Sequence, residues 1–149
     1  MKRGAIAAAA LAVLVGLSGC SAAGEDELVA QAKADFDALV ESASAVDVAV
    51  LHTLEVEEPA AEPCDSEPDS EKEHTVFVAA GTFAIQATEA QEDELLTSFA
   101  PLFDDEERWT EISDDLPSTQ RAYVDVDGIT AAVTVDEGLL ALTVFSPCR

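Results

Sequence analysis

Between Leu28 and Ala43 apolar residues recur at helical spacing (Leu28, Ala32, Phe36, Leu39, Val40, Ala43), while Lys33, Asp35, Asp37 and Glu41 lie mainly off that stripe. Glu25-Asp26-Glu27 precede it, where carboxylates favour the N-terminal end of a helix dipole. The spacing predicts an amphipathic helix over residues 25–44 whose apolar face belongs to a core. From Val46 the period changes to two. Val46, Val48, Val50, His52, Leu54 and Val56 share one face and Asp47, Thr53 and Glu55 the other, which predicts a strand. Residues 57–73 break the pattern with three prolines, eight acids and almost no large apolar side chain. They read as a long solvent-exposed loop pinned in its middle by Cys64.

Residues 74–87 predict a second strand, with Val76 and Val78 on one side and Phe77, Ala79, Phe83 and Ile85 on the other. Gly81 reads as a bulge or turn within it. Thr88-x-x-Gln91 is a capping-box pattern, opening a helix that contains Leu95, Leu96 and Phe99. Pro101 disfavours helix at Ala100, so the helix ends near there, with Leu102 and Phe103 packing just beyond. Asp104 to Glu107 form an acidic turn, and a short strand is centred on Trp109. Next comes a three-strand meander. Ala122, Val124 and Val126 alternate with Tyr123 and Asp125, and Asp127-Gly128 makes a hairpin turn. Ile129, Ala131, Val133 and Val135 alternate with Thr130 and Thr134, and Asp136-Glu137-Gly138 makes the next turn. Leu139 to Phe145 is apolar on both faces, as an interior strand is. These elements define an α+β fold: one antiparallel sheet of about four to six strands with two helices packed on one face and one disulfide.

The first residues follow different rules. Lys2 and Arg3 precede an uncharged Ala/Leu/Val-rich run from Gly4 to Leu17, and small residues then lead to Cys20. This is the layout of a secretory signal, too short for a permanent membrane span. Leu17-Ser18-Gly19-Cys20 resembles the lipobox of bacterial lipoproteins at all four positions. The resemblance implies cleavage between Gly19 and Cys20 and diacylglyceryl attachment to the Cys20 sulfur. It further implies acylation of the new amino group in bacteria that have that enzyme. The rival reading is an ordinary secretory peptide that ends near a cysteine. On the lipoprotein reading residues 1–19 are the signal peptide, 20–24 a lipidated tether and 25–149 a single domain with the acidic loop 57–73. The element order, the acidic Cys-bearing loop and the terminal Ser146-Pro147-Cys148 look like small exported lipoproteins of actinobacteria. The expected location is the extracytoplasmic face of the cell membrane, with the membrane met through the lipid. Two acyl chains hold a protein stably where one does so only reversibly.

Charge narrows the partners. The chain carries 31 Asp and Glu against 7 Lys and Arg, a net charge of −24, and loss of residues 1–19 removes two of the cations. Non-specific nucleic-acid binding and polybasic attachment to anionic headgroups are excluded. The acid excess suits solvation outside the cell or a salt-rich habitat, and alternatively a divalent-cation site. With Cys20 committed to lipid, Cys64 and Cys148 are an even pair in an exported chain and read as a disulfide. Neither belongs to a C-x-x-C, so a metal or nucleophilic role is weak.

No candidate chemistry rises above its structural explanation. Asp125-Val126-Asp127-Gly128 superficially resembles a calcium loop, but alignment on Gly128 puts Tyr123 and Thr134 where ligating acids are required. His52 and His74 are the two imidazoles. His52 sits in an apolar strand face and His74 at a loop exit, neither in a nucleophile–base–acid pattern. No phosphate loop, G-x-S-x-G or H-E-x-x-H occurs, and no cofactor is implied. The reading that follows is a non-enzymatic, lipid-anchored module that binds an envelope protein or small ligand. The alternatives are an envelope hydrolase using carboxylates or His52, and a divalent-cation binder using loop 57–73.

Overall fold

The computed structural model describes residues 24–46, 50–57, 59–64, 75–112 and 115–149, with residues 50–55 described by their backbone. The first helix, α1 (Glu25–Ala45), buries Leu28, Ala32, Phe36, Leu39 and Ala43, a stripe of three- and four-residue steps. The Gly24 carbonyl accepts the Glu27 and Leu28 amides at 3.1 and 3.0 Å, and the three first-turn acids face the positive end of the helix dipole.

Among the described residues seven strands form one antiparallel sheet: β1 (Val50–Val56), β2 (Ala60–Pro63), β3 (Thr75–Gln86), β4 (Trp109–Ile112), β5 (Gln120–Asp125), β6 (Thr130–Asp136) and β7 (Leu139–Phe145). The order across the sheet is β1-β3-β7-β6-β5-β4, with β2 also on β3. Strands β1 and β2 share one edge of β3, the former along residues 81–86 and the latter along 75–78. The second helix, α2 (Glu89–Ser98), leads into a 3-10 turn, Ala100–Phe103. Both helices lie on the same face of the sheet, α1 over β3 and β7 and α2 over β6. The architecture is the α+β layout expected from the pattern.

The register shows why one face is the core. Ala79, Phe83 and Ile85 of β3, Leu140, Leu142 and Val144 of β7, and Ala131, Val133 and Val135 of β6 are all buried and point to the helices. The opposite face carries Val78, Ala80, Thr82, Ala141, Thr143, Ala132 and Thr134, half-buried small and β-branched residues that tolerate water. β7 sits between β3 and β6, so the strand that is apolar on both faces is the interior one. Its helix-facing side is fully buried and its other side half-buried, apart from the exposed Leu139 at its start.

Three expectations need correction. Residues 57–73 are not wholly loop, because Ala60–Pro63 form β2, exposed at all four positions. Backbone pairing to an edge needs no apolar side chain, so alternation gave no signal, and Pro63 at the strand's end is tolerated there. Gly81 is not a bulge. β3 runs through it unbroken, and the irregularity falls on β1 between Thr53 and Glu55. The glycine serves close approach instead: a Cβ there would stand 3.3 Å from Phe36 Cζ, under the seat of α1. Beyond α2 only Phe103 packs, because the 3-10 turn aims Leu102 at solvent.

Cys64 and Cys148 form a disulfide with Cα atoms 6.0 Å apart. Cys64 follows β2, and Cys148 lies beside Arg149, whose backbone exchanges hydrogen bonds with Thr75 at 2.9 and 3.2 Å. The bridge therefore ties the neighbours of β3 together at its first residue. Ser146 adds a hydroxyl that accepts the Phe77 amide at 3.0 Å.

Candidate functional site

The far edge of the sheet is where chemistry-bearing side chains converge. β4 pairs with β5 so that Trp109 opposes Asp125 and Glu111 opposes Tyr123, which puts all four on the helix-side face. The 3-10 turn after α2 then lays Phe103 over them. Its ring stacks on Tyr123 with centroids 3.9 Å apart and 8° between planes, and meets the Trp109 ring edge-on at 5.0 Å. Beyond this aromatic group the helical layer stops, leaving an open depression of about 290 Å³. Phe103, Trp109 and Tyr123 line it together with Asp104, Glu106 and Glu111.

Tyr123 is the polar group at its base. Only 8% of the residue is exposed, and its hydroxyl has no hydrogen-bond partner among the described residues. Burial pushes its pKa above the ordinary phenol value, the nearby carboxylates of Glu111 and Asp104 push the same way, and Arg121 opposes them. Both carboxylates line the depression, so the phenol oxygen lies at its acidic side. Arg121 approaches Glu111 at 3.8 Å, with both side chains about half exposed.

Beside the depression, Arg108 is held in place. Its guanidinium lies 4.5 Å from the Trp109 ring centroid and donates to Asp35 on α1 and to Asp125. Burial alone would lower the Arg108 pKa, but the hydrogen bond to Asp35 and the attraction of Asp35 and Asp125 hold it above the ordinary arginine value. Asp125 has a side chain only 2% exposed, and its Oδ1 accepts the Asp127 and Ile129 amides at 2.9 and 2.8 Å. The Asp125-Val126-Asp127-Gly128 segment is thus a hairpin turn organised by a buried carboxylate.

Two other depressions carry less chemistry. One of about 100 Å³ beside the start of α1 is lined mainly by Leu28, Val29, Ala61, Phe77 and Pro147. One of about 300 Å³ beside the start of α2 gathers Glu89, Glu92 and Asp93 opposite Ser118 and Thr119. Among the described residues no three His, Cys, Asp or Glu side chains are placed to share a metal ion.

The residues singled out from sequence fall as follows. Gly19, Cys20 and His74 lie outside the described residues, as do residues 65–73 of the acidic loop. His52 belongs to β1, opposite Ala84, and its side chain is not among those described. The hydrolase alternative therefore gains no described site. The run Glu92-Asp93-Glu94 lies on α2, and Asp104 to Glu107 form an exposed turn. Sequence reasoning missed the Phe103–Trp109–Tyr123 group, although a signal existed. The chain's single Trp and single Tyr fall within 21 residues of Phe103, among seven acids of which five lie between 104 and 111.

The chain matches no family model and no curated protein. Among solved structures it is similar to a DUF4853 family protein from Actinomyces odontolyticus, an actinobacterial protein. The two are 13% identical with a TM-score of 0.49, over 83% of this chain and 67% of that one.

Proposed function

We propose that this protein is a non-enzymatic binding module of the cell envelope, held on the extracytoplasmic face of the membrane by lipid on Cys20. The observation that carries the binding half is the depression at the β4 edge. It has an aromatic base, three lining carboxylates, and a tyrosine whose ring is buried and whose hydroxyl opens to it without a hydrogen-bond partner among the described residues. Concave apolar surfaces with a few convergent polar groups are where small ligands bind. A phenol is both a donor and an acceptor of hydrogen bonds, which suits it to holding a polar ligand.

The anchoring half rests on the lipobox and on the layout of residues 1–20. No helix among the described residues is long and apolar enough to cross a membrane. A lipidated Cys20 stands five residues before α1 begins, so the domain would sit close to the bilayer.

Intact-mass spectrometry of the protein extracted from membranes tests the anchor. The expected mass is that of a chain beginning at Cys20 plus a diacylglyceryl group, and Cys20→Ser leaves an unlipidated chain that keeps residues 1–19 and is therefore of higher mass. An unmodified thiol at position 20 in a product released to the medium overturns the reading.

A further inference from the structure

We propose that the depression between the 3-10 turn and β4 binds a small organic ammonium ion, with the charged nitrogen among Glu111, Asp104 and the Tyr123 hydroxyl and the carbon body against Phe103 and Trp109. The inference rests on the binding-module reading and names the ligand class for it.

Charge comes first. Asp104, Glu106 and Glu111 line the depression, and no lysine or arginine lines it with them. The two nearby arginines are otherwise engaged. Arg108 is matched by Asp35 and Asp125, while Arg121 reaches Glu111 from the rim at 3.8 Å with 45% of its side chain exposed. An exposed pair of that kind is weak and exchanges readily with a better-placed cation. The surplus negative charge at this edge is therefore available to a ligand.

The second observation is independent of the acids. Tyr123 as a whole residue is more than nine-tenths buried, with its ring stacked under Phe103, and its oxygen makes no hydrogen bond to the protein among the described residues. That phenol oxygen offers lone pairs to an N–H donor and a proton to a carboxylate. No fully buried side-chain oxygen is left unpaired among the described residues, so the hydroxyl opens onto the depression, where a ligand can replace the water it meets.

Size and shape select among cations. The carboxylates are not grouped closely enough for three to share a metal ion, whereas calcium needs six to eight oxygens around one point. The volume, about 290 Å³, lies just below the range for drug-sized ligands, roughly 300–1,000 Å³, and so suits a smaller molecule. Three aromatic side chains supply apolar contact for a carbon body, which a bare metal ion cannot use.

Trp109 is the chain's single tryptophan, so its emission reports on the depression without labelling. The protein, purified with its lipid in detergent, is titrated with choline chloride and with putrescine dihydrochloride. Its neutral isostere 3,3-dimethylbutanol, sodium chloride at matched ionic strength and calcium chloride serve as controls. The expected result is a saturable emission change with one or both ammonium probes, half-complete below about 1 mM, and none with the controls. Glu111→Gln and Tyr123→Phe, each confirmed as folded by near-ultraviolet dichroism, weaken that binding by about tenfold. Glu94→Gln on the exposed side of α2 leaves it unchanged. The proposal is overturned by equal saturation with the neutral isostere, by a response that sodium or calcium reproduces, or by no response to either ammonium probe. Should a variant not fold, the wild-type comparison of choline with its isostere still decides. A negative titration of a protein that is lipidated on Cys20 discards the ammonium ligand and leaves the anchored module standing, so the two failures are distinguishable.

Discussion

At the scale of the residue, Asp125 does the most with one side chain. Its carboxylate gathers two turn amides and the Arg108 guanidinium, and Arg108 in turn reaches α1 through Asp35. Asp125→Ala leaves the buried Ile129 amide and the partly buried Asp127 amide without an acceptor and Arg108 with Asp35 alone, and should cost about 2–4 kcal/mol in urea unfolding. Asp125→Asn keeps an amide-accepting oxygen and should cost less than the alanine variant. Tyr123 gives a pH prediction with a definite sign. Its folded pKa is raised, so the folded state favours the protonated phenol. The stability this contributes is complete below the unfolded value of about 10 and is lost as pH rises through the folded value. With one tyrosine in the chain, phenolate absorbance should report a titration above the ordinary range, and Glu111→Gln should move it back downward. Sequence pattern could identify Asp125-Val126-Asp127-Gly128 as a hairpin but not show that Asp125 is buried. Alternation places Asp125 beside Tyr123 on one face, and only the register to β4 and the approach of α1 supply the arginine that makes burial tolerable. The aromatic depression was illegible for the same reason, being assembled from a 3-10 turn and two strands whose side chains meet only across the register.

At the scale of the element, local signals were dependable wherever one face meets the core. The stripe on α1, the alternation along β3 and β6 and the doubly apolar β7 all follow from burial, which sequence periodicity records. Thr88 opens α2 as its spacing promised: Gln91 Oε1 accepts the Thr88 amide at 2.9 Å. β2 was invisible because its side chains are all exposed and its pairing is made by backbone alone. The β6–β7 turn carries a residue pair with φ of +48° at Glu137 and +80° at Gly138, the sign pattern of a type I′ turn. Glycine adopts that conformation freely, whereas glutamate does so at a cost. Glu137→Asn should therefore stabilise the protein by about 0.5–1 kcal/mol, read as a higher unfolding midpoint. Gly81 tests the opposite case. Any branched side chain there meets Phe36, so Gly81→Val should destabilise by about 1–3 kcal/mol in the same assay.

At the scale of the whole molecule, the disulfide and the strand order share the task of holding distant parts together. The bridge joins residues 84 apart in sequence, and removing it with the double variant Cys64→Ser/Cys148→Ser should lower stability by about 2–5 kcal/mol, most simply measured as a fall in Tm. Strand order was the least legible property of the fold. Consecutive hairpins fix β4 to β7, but that β3 pairs with β7 and takes both β1 and β2 on its other side depends on pairings between remote segments, which periodicity does not encode. That order has a consequence for how the molecule comes into being. β7 lies between β3 and β6, yet it follows both in chain order, the last of the described strands. Until residues 139–145 arrive, the first half and the β4–β6 ladder have no common seam, and assembly waits on a closing stave. Such late, remote closure makes for slow folding, because a long stretch of chain must be brought round before the contacts that reward it can form.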